Sequence, residues 1–303
     1  MNIQMNKILI TGSSGFVGSN IIKSFKNNYS FNKLYYKKNS KILLDGDVDI
    51  VLHFAGKAHD LKKVSSDIDY YLINTDFARN IFDSFLLSHA KVFIILSSVK
   101  AVADKVKELL FEDTLPNPIT HYGKSKLLAE QYILSKKIPS DKRVYILRPC
   151  MIHGPGNKGN LNLLYEIVRK GIPWPLGAFD NKRSFCSIDN LCFIINELIE
   201  NDKITSGIYN IADDDPLSTT DLIKLISESQ GKKILVWDTS KFLIKFLSKL
   251  GDLLRLPLNT ERLNKLTETY IVSNKKIKNA INKSLPINSK EGLIKTFNSF
   301  NNA

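Results

Sequence analysis

Gly12, Gly15 and Gly18 follow the pattern G-x-x-G-x-x-G, directly behind the apolar run Ile8-Leu9-Ile10 and ahead of a helix-patterned segment, Val17 to Phe25. Few folds accept that order of strand, turn and helix. The first glycine permits a tight turn, the second lets backbone approach a pyrophosphate, and the third lets helix and strand pack closely. The helix start offers unpaired N–H groups and the positive end of its dipole to phosphate oxygens. The turn therefore predicts a dinucleotide site at the head of a parallel sheet.

The remaining pattern agrees. Further strands are expected at Lys33–Tyr36, Ile42–Leu44, Ile50–Phe54, Val92–Leu96, Val144–Leu147 and Gly207–Ile211. Helices are expected at Tyr70–Ser88, at His121–Lys136, from Asp189, and behind the cap residues Ser218-Thr219-Thr220. Strands alternating with helices predict an α/β fold, a Rossmann-type doubly wound parallel sheet. Beyond Arg148-Pro149 the loops grow rich in glycine and proline, and a smaller mixed α/β substrate domain is expected. The dinucleotide-binding domain would take residues 1–150 and about 184–212, the substrate domain 151–183 and about 213–303.

At 303 residues and 43% hydrophobic, the chain has no apolar run long enough to span a bilayer, so no membrane insertion is expected. The run at Ile8 is too short for a signal peptide, which predicts a cytoplasmic protein opening on its first strand. Cys150, Cys186 and Cys192 lack metal-ligand spacing, so reduced packing thiols and no metal are expected. The net charge of +13 would suit nucleic acid, but the lysines are scattered and no nucleic-acid motif appears, so no such partner is expected. Lys241 to Arg255 carries Lys241, Lys245 and Lys249 on one helical stripe, with Leu243, Phe246, Leu247 and Leu250 opposite. A membrane-surface helix has that pattern. The expectation taken is an ordinary surface helix packed on a core.

A dinucleotide site for NAD usually places a carboxylate about 20 residues past the turn, on the ribose 2′-hydroxyl. Here Tyr36, Lys37 and Lys38 occupy that region without an acid, which predicts NADP(H) over NAD. Tyr122 and Lys126 are four apart in a helical segment and share a face. A phenol has a pKa of about 10. A nearby ammonium and an oxidised nicotinamide ring would both favour its phenolate. Ser98, behind the strand Val92–Leu96, can present a hydroxyl to the same reacting oxygen.

Together these residues resemble the extended short-chain dehydrogenase/reductase family, and within it the nucleotide-sugar epimerases, reductases and dehydratases. The resemblance implies catalytic roles for Ser98, Tyr122 and Lys126. It implies cofactor contacts from Gly12, Ser14, Gly15, Phe16, Val17 and Gly18, from Tyr36 and Lys37, and from Phe54, Ala55, Gly56 and Asn74, with Tyr122 and Lys126. It places Ser98, Asn160, Arg183 and Arg262 on the substrate, and a bidentate arginine suits a diphosphate. Two departures stand out. The chain between the second strand and Asp49 is short, so an element of the sheet domain is expected to be missing. Val99-Lys100 follow Ser98 where the dehydratases carry Asp-Glu, which argues against dehydration. The expectation is reduction at C4 of a UDP-linked 4-keto-6-deoxy or amino sugar in surface-polysaccharide synthesis. The alternatives are a UDP-sugar 4-epimerase with retained NAD and, from another class, a non-catalytic cofactor-binding sensor or scaffold. A homodimer pairing Tyr70–Ser88 with His121–Lys136 is a further expectation.

Overall fold

The computed structural model describes residues 5–37, 44, 46–58, 66–106, 108–157, 159–254 and 258–300. Chain order runs β1 (Lys7–Thr11), α1 (Phe16–Phe25), β2 (Ser30–Leu34), β3 (Ile50–His53) and α2 (Asp67–Tyr71). A π-turn (Leu72–Asp76) leads into α3 (Phe77–Leu87), β4 (Val92–Leu96), a 3-10 turn (Val99–Ala101), β5 (Leu109–Leu110) and α4 (His121–Leu134). Then come β6 (Arg143–Pro149), β7 (Met151–His153), α5 (Asn160–Arg169), β8 (Phe185–Ser187), α6 (Ile188–Glu200) and β9 (Gly207–Ile211). The chain ends with α7 (Thr219–Ser229), α8 (Lys241–Leu254), α9 (Thr260–Thr267), β10 (Ile271–Val272), α10 (Lys275–Ile281) and α11 (Ser289–Phe300).

Six of these strands form one parallel sheet in the order β2-β1-β3-β4-β6-β9. Its faces follow from the two-residue period of a strand. Ile8, Ile10, Ile50, Leu52, Val92 and Ile94 meet α1 and α6 on one side. Leu9, Val51, Phe93 and Ile95 meet α3 and α4 on the other. Covering both faces buries the central strands completely, which is why they read as unbroken apolar runs. A separate core joins α5, α7, α9 and α11 around Trp174 and Leu176. The fold is thus α/β and Rossmann-like, as the sequence predicts. The strand order reverses at β1, whose neighbours are β2 and β3, and open sheets of this type bind ligands beyond the carboxyl ends at such a point.

Several elements differ from expectation. Between β2 and β3 the described residues are 35–37, 44 and 46–49, and none of them is in a helix or strand. Ile42 and Leu43 of the candidate strand lie outside the described residues, and Leu44 is in no strand. The second strand covers Ser30–Leu34 rather than Lys33–Tyr36, because Lys7 to Thr11 pair with it in register from Ser30 to Leu34. It is an exposed edge strand, so its own apolar pattern carries little register information. The helix expected over Tyr70–Ser88 starts earlier and widens at the π-turn, where Asn74 and Thr75 turn inward and are buried. The largest departure is α8. Its buried residues are Ile244, Ser248 and Gly251, whereas Leu243, Phe246, Leu247 and Leu250 are exposed. The expected core-packed stripe faces outward.

Candidate active site

The glycine turn is built as its spacing requires. Gly12 has φ +70°, and a Cβ there would lie 2.6 Å from the Phe54 and Ala55 backbone. A Cβ at Gly18 would lie 2.2 Å from the Gly12 carbonyl oxygen. The first and third glycines thus hold the turn against the end of β3 and against α1. Gly15 caps the helix start, and its N–H donates to the Gly12 carbonyl at 3.0 Å. Ser14 is exposed beside it, while Phe16 and Val17 are half-buried. The Ser13 hydroxyl is buried with no protein partner. An orphaned hydroxyl, a cradle with no room for side chains and a helix N-terminus fit a dinucleotide phosphate group.

Beyond β3 the chain turns through Phe54-Ala55-Gly56. The Ala55 N–H donates to Thr11 Oγ1 at 3.1 Å, and that oxygen lies 2.9 Å from His53 Nδ1. Asn74 fixes the rest of the loop. Its Oδ1 accepts from the Lys57 N–H at 2.8 Å, and its Nδ2 donates to the Lys57 carbonyl and to Ser125 Oγ, both at 3.0 Å. Its amide therefore positions the loop against α4. Tyr36 packs edge-on to Phe77, with ring centroids 5.2 Å apart, and Lys37 is exposed just past β2. Lys38 lies outside the described residues.

Three catalytic candidates converge beyond β4. Asp104 holds the start of α4, accepting from the Ile119 N–H at 2.6 Å and from the Thr120 N–H and hydroxyl, each at 3.1 Å. Thr120 in turn caps the helix through the Gly123 N–H at 3.2 Å. A Cβ at Gly123 would lie 2.4 Å from the Lys100 carbonyl oxygen. Glycine there lets α4 press on the turn that carries Ser98. The Tyr122 hydroxyl consequently hydrogen-bonds Ser98. Ser98 is buried, and its Oγ also accepts from the Lys100 N–H at 3.2 Å.

Lys126, one turn further along α4, is buried and donates to the Leu96 carbonyl at 2.8 Å. A Cβ at Gly56 would come 2.9 Å from its Nζ, so the β3 loop closes over the ammonium. Burial pulls the Lys126 amine down to about 8, partly opposed by the Glu130 carboxylate. Burial also raises the Tyr122 phenol, with the Ser98 hydrogen bond acting the other way. The protein alone therefore keeps the phenol neutral, and Lys126 is not among the groups that act on it, contrary to the acidification expected from the sequence.

Some supporting groups carry no motif. Glu130 is buried and takes a two-pronged contact from Arg148, with Nη2 to Oε2 at 2.6 Å and Nε to Oε1 at 3.0 Å. Ser97 donates to the same carboxylate. This ties β6 and the end of β4 to the helix bearing Tyr122. Lys100 is half-buried, its Nζ 4.2 Å from the Tyr270 ring centroid and 2.7 Å from the Asp104 carbonyl oxygen. Burial lowers its amine, and the charges of Glu268 and Asp104 oppose that. Arg183 stands near enough to repel it, while its own Nη1 donates to the Lys265 carbonyl at 2.7 Å. Lys100 and Ser13 are the residues a site search by motif passes over. The buried hydroxyl of Ser13 and the contacts of the Lys100 amine with Tyr270 and Asp104 appear only in the packing.

The substrate candidates divide. Arg183 joins this cluster, and Arg262 is exposed on α9. Asn160 opens α5, and its side chain lies outside the described residues. His153 is a buried structural residue, 2.9 Å from Thr296 Oγ1 and 3.3 Å from Asp213 Oδ2. All three cysteines are buried, with thiols raised by burial, as packing residues are. No group of metal-ligating side chains occurs among the described residues.

Residues 8–212 match the NAD dependent epimerase/dehydratase family. A Vibrio cholerae protein named UDP-glucose 4-epimerase is 29% identical over 97% of this chain and 95% of its own length. An Escherichia coli O157:H7 protein named N-acetyl-alpha-D-glucosaminyl-diphospho-ditrans,octacis-undecaprenol 4-epimerase is 28% identical, over 76% of this chain and 74% of its own. Among solved structures, MoeE5 in complex with UDP-glucose and NAD superposes with a TM-score of 0.75 at 17% identity, covering 98% of this chain and 99% of that one.

Proposed function

The chain belongs to the NAD dependent epimerase/dehydratase family, and from that premise we propose that it is a nucleotide-sugar 4-epimerase that retains its NAD. The observation that carries the proposal is that α4 brings the Tyr122 phenol to Ser98 behind β4 and buries Lys126 on the Leu96 carbonyl at the carboxyl edge of the sheet. The Vibrio cholerae relative, matched along nearly the whole of both chains, supports action at C4. MoeE5, bound to UDP-glucose and NAD, supports a UDP-linked substrate.

When bound, a dinucleotide would supply the hydride acceptor and, in its oxidised form, a positive charge that favours the phenolate. The Tyr122 oxygen takes the proton of the sugar O4 as the alcohol becomes a ketone, and returns it on reversal. Because burial raises the phenol, Tyr122 holds its proton in the resting protein and is in the protonated form that the return step needs. Ser98 Oγ donates to the same oxygen and spreads the charge that develops there. Lys126, held on the Leu96 carbonyl beneath the Gly56 loop, would hold the ribose of a bound dinucleotide. Lys100 and Arg183 offer two cations toward the diphosphate. With Val99-Lys100 behind Ser98, no acid pair follows it to move protons at C5 and C6, so the chemistry stops at C4.

A second reading, a 4-ketoreductase using NADPH, is favoured by Lys37, which follows β2 where an NAD site carries an acid. One experiment separates the two. Purified protein incubated with UDP-hexoses should interconvert C4 epimers with no added cofactor and no net change in nicotinamide absorbance. Stoichiometric oxidation of added NADPH by a UDP-4-keto sugar, without epimer exchange, would establish the reductase instead.

A further inference from the structure

Helix α8 carries its apolar side on the outside. In order around the helix, Phe242, Leu253, Phe246, Leu250, Leu243 and Leu247 form one exposed arc at 3.6 residues per turn. Phe242 is 82% exposed, Leu253 79% and Phe246 56%. Such an arc exceeds the scattered apolar residues of an ordinary surface. The helix is well held, so the arc does not result from a loose segment. Ile244 and Ser248 are buried against the protein, and a Cβ at Gly251 would lie 1.9 Å from the Leu258 carbonyl oxygen. Asp252 accepts from the Thr260 N–H at 3.0 Å and from its hydroxyl, locking α8 to the start of α9.

The charge beside this arc selects its occupant. Lys241, Lys245 and Lys249 are exposed on the flank next to Phe242 and Leu253. Trp237, four residues ahead of the helix, is 53% exposed. A second copy of the chain would bring the same lysine row and another net charge of +13 against this face. An anionic surface with an apolar interior meets both parts at once. Aromatic rings favour the boundary between them. At about 21 Å the helix is too short to span a bilayer and the right length to lie within its surface.

We propose that α8 docks the substrate half of the enzyme on the surface of an anionic phospholipid bilayer, with Phe242, Phe246 and Leu253 inserted and Lys241, Lys245 and Lys249 on the headgroups. This stands on the helix alone and is independent of the epimerase reading.

The test is co-sedimentation of the full chain with phosphatidylcholine vesicles, with and without phosphatidylglycerol. The wild type should pellet with the anionic vesicles and release at high salt. Phe242→Glu/Phe246→Glu and Lys241→Gln/Lys245→Gln/Lys249→Gln should each weaken binding by about tenfold or more, with unchanged melting temperature. Wild type left in the supernatant with both vesicles would overturn the proposal. So would binding that both variants keep. A dimer that Phe242→Glu/Phe246→Glu converts to monomer, without vesicle binding, would assign the face to self-association instead.

Discussion

Burial keeps two side chains near the site neutral. In the proposed reaction Tyr122, raised by burial, must still reach its anion, so its chemistry would depend on Ser98 and on the positive charge of an oxidised cofactor. Tyr122→Phe removes the proton carrier without emptying the cradle. Turnover should fall by about 100-fold or more, while the dinucleotide still raises the melting temperature. Unchanged turnover would remove Tyr122 from the reaction. His53 is fully buried, its Nδ1 on Thr11 and its Nε2 without a partner. Burial, aided by the charge of Lys126, lowers it to about 3. The folded state thus holds a neutral imidazole that the unfolded chain would protonate near 6.5. The His53 contribution to stability is whole above about pH 6.5 and is lost as pH falls toward 3. Melting curves from neutral to acid pH should show a smaller drop for His53→Gln than for wild type. Equal drops would mean that His53 does not titrate as the packing requires.

At the scale of elements, the active site depends on how closely α4 approaches the turn behind β4. Gly123→Ala would press a methyl into the Lys100 carbonyl and push Tyr122 from Ser98. Activity should fall at least tenfold, out of proportion to the change in melting temperature, because a displacement near 1 Å misaligns proton transfer. An active Gly123→Ala would show that the contact can relax. Ser218→Ala is the contrasting case. Ser218 caps α7 through the Asp221 N–H at 2.9 Å, and Asp221 returns a bond to the Ser218 N–H at 3.0 Å. Denaturant unfolding should show a loss of about 1 kcal/mol with catalysis unaffected. The capping residues, the glycine turn and the buried runs of β1, β3 and β4 are legible in sequence because each is a local demand of the backbone. The π-turn before α3 is not, since Asn74 and Thr75 enter it to meet Lys57 and Ser125 of other segments.

Across the whole molecule, the glycine turn and the Ser98/Tyr122/Lys126 group come from segments far apart in the chain, so a dinucleotide bound as proposed should be felt by the entire sheet. A saturating dinucleotide should raise the melting temperature, and the better of NAD and NADP should raise it more. Gly12→Val, which cannot adopt φ +70° or clear Phe54, should lose that rise. A retained rise would place the cofactor elsewhere. By itself, the sequence determined the fold class, the tight glycine turn between β1 and α1 and the placement of Tyr122 and Lys126 one turn apart on one helix, because these follow from backbone periodicity and from steric limits within a few residues. Only the tertiary structure decided the rest: the neutral state of the Tyr122 phenol, the depressed Lys126 amine, the entry of Lys100 beside Arg183 and the outward turn of α8. Each of those depends on which distant groups remove water or supply charge, and that is set by packing between segments rather than by residue order along one.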